Sequence, residues 1–267
     1  MSAPLSLHAR ESGRDRPVAV LLLHGGGLNG SQWAPQLDQL AEFHCIAPDL
    51  PEHGGSAAFG PLTLADAAQR LLTLLDQLAR DKPVHVVGHS FGGAVALQLL
   101  SQAPLRFAST LVSGGPAGLS SALAGLSMLS IGLLRLFPVD WLVEQTARQF
   151  HFSDAIRADF DWDLRRSMAP DFMRRLTREM QKLVLPRQNL TPVLALVGEH
   201  ETWAARQAAR QIGSGVPHAR AFMVPGAHHV WNLELSHLFS QVVRNWILRS
   251  EVAPPLQPLS VFCKEYP

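Results

Sequence analysis

Short apolar runs rich in Val, Ile and Leu recur along the chain at 18–23, 44–47, 84–87, 110–112, 193–197 and 221–224. Most are continuous rather than alternating, as expected of strands covered on both faces. Helical patterns lie between many of them, such as Leu64 to Leu78, with Leu71, Leu72, Leu75 and Leu78 on one side, and Ala94 to Leu100. Strand and helix alternate, so the pattern predicts a mainly parallel sheet flanked by helices. The alternation lapses between Gly114 and about Gln188. There Leu119, Leu123, Leu126, Leu129 and Leu133 repeat at helical spacing, and Pro170-Asp171 opens a second pattern through Phe172, Leu176, Met180 and Leu183. The predicted organisation is an α/β core over 1–113 and 189–267 with a helical cap or lid inserted over 114–188. Residues Phe107 to Leu134 carry no charge and reach transmembrane length, but the segment opens as a strand ending in Ser113-Gly114-Gly115-Pro116 and is then diluted by serines. No membrane span is expected. The proline-rich tail Val252–Pro267 reads as an extended strap.

Composition adds boundaries to this picture. Of 267 residues, 47% are hydrophobic and 17% charged, enough apolar material for a buried sheet and too much for disorder. Lys plus Arg at 23 nearly balances Asp plus Glu at 22, so there is no field to collect nucleic acid or an acidic membrane surface; the expected partner is a small molecule. Two cysteines, Cys45 and Cys263, make no disulfide framework, and the first 17 residues are charged at Arg10, Glu11, Arg14, Asp15 and Arg16 with no apolar stretch. A cytoplasmic location is the expectation.

Candidate chemistry centres on Val84-His85-Val86-Val87 running into Gly88-His89-Ser90-Phe91-Gly92-Gly93 and then the helical Ala94-Val95-Ala96-Leu97. A serine between glycines, after a strand and before a helix, has the form of a nucleophile elbow, with Ser90 held in a strained turn. The helix start brings the backbone N–H of Phe91 beside the place where an oxyanion would form. A second donor is needed, and the glycine loop His24-Gly25-Gly26-Gly27 after the first long strand offers the N–H of Gly26; His24 is expected to brace that loop. A phosphate-binding loop is set aside, because neither a Gly-Lys-Ser/Thr ending nor a Gly-x-Gly-x-x-Gly register is present. The base should be a histidine after the last strand. His229 in Pro225-Gly226-Ala227-His228-His229 fits, with His228 as its rival. A carboxylate at a strand end must orient it, and Val193 to Val197 leads to Gly198-Glu199-His200-Glu201, making Glu201 the first candidate and Glu199 the second.

These motifs, in this order and over nearly the whole chain, resemble the α/β-hydrolase superfamily, in its cap-bearing esterase, lactonase and C–C hydrolase branch. His24-Gly25 resembles the oxyanion-loop motif, with Trp33 where the family often has an aromatic residue, and Asp49 to Ser56 looks like the D-x-x-G-x-G-x-S loop. Gly198-Glu199-His200-Glu201 is similar to G-E-x-D and puts Glu201 on the acid position; Gly226-Ala227-His228-His229 resembles G-A-G-H and puts His229 on the base. The resemblance implies an α/β-hydrolase fold and hydrolysis through an acyl-enzyme on Ser90, His229 and Glu201, with no metal and no cofactor. An acyltransferase, a perhydrolase, a carbon–carbon bond hydrolase and a hydrolase-like receptor share the same residues. Trp33, Leu126, Leu129 and Trp231 are the expected substrate-binding side chains, and the uncharged first cap helix predicts a largely apolar acyl pocket.

Overall fold

The computed structural model describes residues 6–259 other than Arg135, His151, Ser153 and Ala253; Cys263 and the end of the predicted strap lie outside the described residues. In chain order the elements are β1 (Ala9–Ser12), β2 (Ala19–Leu23), α1 (Ala34–Gln39), β3 (His44–Pro48), α2 (Leu64–Leu78), β4 (Val84–His89), α3 (Phe91–Gln102) and β5 (Phe107–Ser113). Four helices follow, α4 (Ser121–Leu134), α5 (Val139–Gln149), α6 (Asp154–Ser167) and α7 (Pro170–Lys182). The chain then returns through β6 (Val193–Gly198), α8 (Trp203–Gly215), β7 (Ala219–Val224), α9 (Trp231–Glu234), α10 (Ser236–Arg249) and β8 (Gln257–Pro258).

All eight strands form one sheet in the order β1-β3-β2-β4-β5-β6-β7-β8. The six central strands run parallel, and the short edge strands β1 and β8 pair antiparallel with β3 and β7. This is the α/β-hydrolase architecture expected from the sequence, with the two edge strands added. Continuous apolar runs serve both faces because side chains alternate along a strand. Leu21, Leu23, Val84, Val86, Val193 and Ala195 face α2, α3 and α8. Their neighbours Val20, Leu22, Val87, Leu194 and Leu196 face the layer built on Trp33, Trp231, Phe239 and Trp246. No helix of the described residues is long and apolar enough to cross a membrane.

The four helices between β5 and β6 pack on the core through Phe172, Leu176 and Leu183, and through Val143, Phe160 and Leu164 on Leu28, and polar anchors hold them as well. The buried Asp163 of α6 accepts from Asn29 Nδ2 at 2.8 Å and from the Gly54 N–H at 2.9 Å. Glu179 of α7 accepts from the Leu64 N–H at 3.0 Å, at the start of α2. Glu52, in the loop after β3, accepts from Arg175 of α7 at 2.7 and 2.9 Å and from the Leu62 N–H at 2.8 Å. Glu52 does so from a left-handed backbone, φ 65°, a conformation that favours glycine; this buried residue spends local strain to clasp the helices. Burial opposes its ionisation, yet the Leu62 amide and Arg175 outweigh that and hold its carboxyl below the usual range.

Candidate active site

Ser90 stands between β4 and α3 with φ 53° and ψ −119°, a region that costs a non-glycine residue about 1–3 kcal/mol and persists only where the surroundings impose it. Here they do. The Ser90 N–H donates to the Ser113 carbonyl at 2.8 Å, and the Gly93 N–H donates to the Ser90 carbonyl at 2.9 Å. The turn is closed so tightly that a Cβ on Gly88 would come within 2.4 Å of the Gly92 carbonyl oxygen, and one on Gly92 within 2.2 Å of the Leu23 carbonyl oxygen. Glycine at both positions is therefore a steric requirement. Phe91 opens α3, so its N–H is one of the orphan donors of a helix N-terminus and points where negative charge is favoured.

The glycine loop after β2 is fixed from several sides. The Gly25 N–H donates to Gln32 Oε1 at 3.0 Å, the Gly27 N–H to His53 Nε2 at 3.2 Å and the Leu28 N–H to the Gly25 carbonyl at 3.2 Å. The Gly26 N–H is bonded to none of the described residues, and Gly26, Ser90 and Phe91 line one cavity. His24 braces the loop: Nδ1 donates to the Gly25 carbonyl at 2.8 Å and Nε2 accepts from the Leu50 N–H at 2.9 Å.

His229 lies in the loop after β7. Its Nδ1 donates to Glu201 Oε2 at 2.5 Å, which leaves Nε2 as the ring nitrogen able to accept a proton. Ser90 and His229 line a common cavity. Glu201 is buried, and its second oxygen accepts from the Gly198 N–H at 2.8 Å, so the side chain curls back onto its own turn and takes up the extra methylene of a glutamate. Gly114, at φ 59°, passes close to the pair: a Cβ there would lie 2.9 Å from His229 Nδ1 and 3.1 Å from Glu201 Oε2. Glu199 is occupied elsewhere, accepting from the Gly226 N–H at 2.7 Å. His228 turns away to Glu234, with Nδ1 2.7 Å from Oε1, and its ring lies 4.6 Å from that of His200. Among the described residues no group of three His, Cys, Asp or Glu could hold a metal ion.

Two polar side chains that the sequence reading passed over tie these loops together. His89, beside Ser90, donates from Nε2 to the His229 carbonyl at 2.9 Å and accepts at Nδ1 from Gln32 Nε2 at 2.9 Å. Gln32 also donates to Asn232 Oδ1 at 3.0 Å while accepting from Gly25. A single buried amide thus cross-links the glycine loop, the elbow and the segment after His229, with its donors and acceptor satisfied. The only sequence signal for it was position: His89 is the x before serine in the elbow, where strand alternation points it away from the solvent mouth.

Burial keeps these histidines neutral. His24 is pushed down to about 3, by burial first and by the neighbouring His53 second, and His89 falls well below its usual value for the same cause, with His229 adding repulsion. In the unfolded chain both return to about 6.5, so as pH falls the unfolded state takes up protons first. Stability is therefore lost progressively from about pH 6.5 downward, as the unfolded chain protonates ahead of the folded one. Thermal melts are expected to show Tm falling steadily below pH 6.5; a Tm constant from pH 7 to pH 4 would contradict this.

The expected substrate-binding residues need correction. Trp33 and Trp231 are fully buried in the sheet layer, Trp231 donating from Nε1 to Ser113 Oγ at 2.8 Å, and neither lines the two cavities that border Ser90. Leu126 and Leu129 are 69% and 73% exposed on the outer side of α4. Leu123, 54% exposed, is the leucine of that helix that borders the cavity of about 640 Å³ beside Ser90, which is also lined by Leu119, Leu176, Met180 and Trp203. Gln207 and Gln211 of α8 are its largest polar side chains, and no charged one lines it. The cap arginines are engaged elsewhere, Arg165 with Asp161 and Asp140, and Arg166 with Glu52.

A serine on a strained strand–helix turn, a histidine bonded to a strand-end carboxylate and a glycine loop alongside define the serine-elbow class of α/β proteins. The chain belongs to the alpha/beta hydrolase family, whose model matches residues 20–242. It is 28% identical to the putative carbamate hydrolase RutD of Serratia proteamaculans over 92% of this chain and 98% of that one. It is 39% identical to Lipase LipV of Mycobacterium tuberculosis over 108 residues, 40% of this chain and 41% of LipV. The first curated relatives are thus matched over less than half of their own length, 35% and 41%. A solved thermophilic esterase from Thermogutta terrifontis superposes with a TM-score of 0.75 at 21% identity, covering 92% of this chain and 94% of that one, a likeness of fold.

Proposed function

We propose that the protein is a carboxylic ester hydrolase working through an acyl-enzyme on Ser90, His229 and Glu201. The observation that carries the reading is the meeting, at one cavity, of the strained Ser90 with His229, whose Nδ1 is held by the buried Glu201. His229 Nε2 takes the proton from Ser90 Oγ as Oγ bonds to the carbonyl carbon; the same proton then goes to the departing alcohol as the carbon–oxygen bond breaks. Water, deprotonated by the same nitrogen, attacks the acyl carbon and releases Ser90. The N–H groups of Gly26 and Phe91 receive the oxyanion in both halves, donors worth roughly 10²–10³-fold each where one has been removed from such a hole. Glu201 holds the imidazole in the tautomer with a free Nε2 and stabilises the imidazolium. The neutral, apolar wall of the large cavity supports an uncharged acyl group, and the names of the relatives, a lipase and a carbamate hydrolase among them, fit a hydrolase.

The test is steady-state hydrolysis of neutral methyl esters in a pH-stat, on enzyme pretreated with a chelator. One equivalent of acid per ester is expected, with no added metal or cofactor. Failure to turn over any neutral ester alongside efficient turnover of an anionic one would contradict the reading of the pocket; activity that returns only with metal would contradict the mechanism.

A further inference from the structure

Two cavities of very different size meet at Ser90, and they differ in which catalytic group they touch. The large one, about 640 Å³, contacts Ser90, Gly26 and Phe91 but not His229. The small one, about 80 Å³, contacts Ser90, Gly26 and His229 but not Phe91, and is closed by Leu28, Phe150, Leu164, Met168 and Val230. In the acylation step the leaving oxygen must depart on the side of the histidine that protonates it, while the acyl group stays with the oxyanion donors. Resting on the hydrolase reading above, we infer that the small cavity receives the alcohol and the large one the acyl group. The substrate class is therefore an ester of a bulky, apolar carboxylic acid with a short-chain alcohol.

Volume decides the limit. The small cavity has about one-eighth of the volume of the large one, which lies within the usual range for a whole drug-sized ligand. What bounds the small cavity is Phe150, at the end of α5. Its ring stacks on His229, with centroids 5.4 Å apart and planes 28° apart. On the far side of that pair lies a third cavity of about 290 Å³, with Gln149, His200, Thr202 and His228 among its lining. Phe150 and His229 border both spaces, so Phe150 is the partition that stops an alkyl chain from running on into the polar one.

The experiment measures kcat/KM for two ester series: methyl esters of acids from two to twelve carbons, and octanoate esters of alcohols from methyl to hexyl. The first series is expected to rise with acyl length and the second to fall at least 10-fold between propyl and hexyl. Phe150→Ala should join the two spaces and bring hexyl octanoate to within about 3-fold of methyl octanoate. Met168→Ala, which enlarges the same cavity without touching His229, should extend the limit by one or two carbons while leaving the acyl profile unchanged. The reverse pattern, short acyl and long alcohol preferred, would overturn the assignment of the cavities while leaving the hydrolase reading intact. An alcohol series that stays flat in the wild type, or is unmoved by both substitutions, would overturn the role of the small cavity and of Phe150. No turnover in either series, with no labelling of Ser90 by a fluorophosphonate, would instead defeat the hydrolase reading itself.

Discussion

Replacing Ser90 by alanine is expected to lower kcat by about 10⁴–10⁶-fold, with Tm unchanged or raised. In the proposed mechanism the loss is large because the change removes the atom that bonds to the carbonyl carbon; binding and the oxyanion donors alone leave a small residue of catalysis. Stability moves the other way if at all. Ser90 sits at φ 53°, and the fold needs no bond from its hydroxyl, so alanine keeps the backbone contacts to Ser113 and Gly93. A variant retaining more than a few per cent of wild-type kcat would show that some other group attacks the ester.

The acid is the second large effect. Glu201→Gln should reduce kcat by about 10³–10⁴-fold, whereas Glu199→Gln should stay within a few-fold of wild type. The geometry explains the difference. A glutamine at 201 keeps its carbonyl oxygen on the Gly198 N–H and then presents its NH₂ to His229 Nδ1. Two donors cannot face each other, so the imidazole switches tautomer, and Nε2, now protonated, cannot take the serine proton. At position 199 the single bond is to the Gly226 N–H, and an amide oxygen accepts it as well as a carboxylate does. Equal losses at both positions, or the reverse order, would move the acid to Glu199.

Much of the frame behind these effects was legible in the sequence because it depends on short-range patterns. The six parallel strands announced themselves as apolar runs, and helix α2 spans the whole of Leu64–Leu78, with Thr63 capping its first turn by accepting from the Asp66 N–H at 3.1 Å. The edge strands were not visible. Ala9–Ser12 is half-buried and charged, Gln257–Pro258 is two residues long, and each is a strand only because a neighbour pairs with it. The motif residues around Ser90 also carry their conformational demand in the sequence, glycine where a Cβ would collide.

Pocket walls were the least legible part. Helical spacing put Leu119, Leu123, Leu126, Leu129 and Leu133 on related positions, but only the docking of α4 against α7 decides which of them border the cavity, and Leu126 and Leu129 do not. Trp33 and Trp231 were close in sequence to the motifs, yet Trp33 ends a short 3-10 turn and Trp231 opens α9, and both pack into the buried layer with Phe239 and Trp246. Glu52 and Gln32 illustrate the same limit: their partners lie far along the chain, Arg175 and Asn232, and nothing local points to them.

The most direct test of the central claim is the site of covalent modification by a fluorophosphonate, whose leaving group is a single fluoride and fits even the small cavity. Peptide mapping after labelling is expected to find one adduct per chain, on Ser90, at a rate cut sharply in Glu201→Gln and abolished in Ser90→Ala. An adduct on any other residue, or labelling that survives the loss of Ser90, would contradict the account.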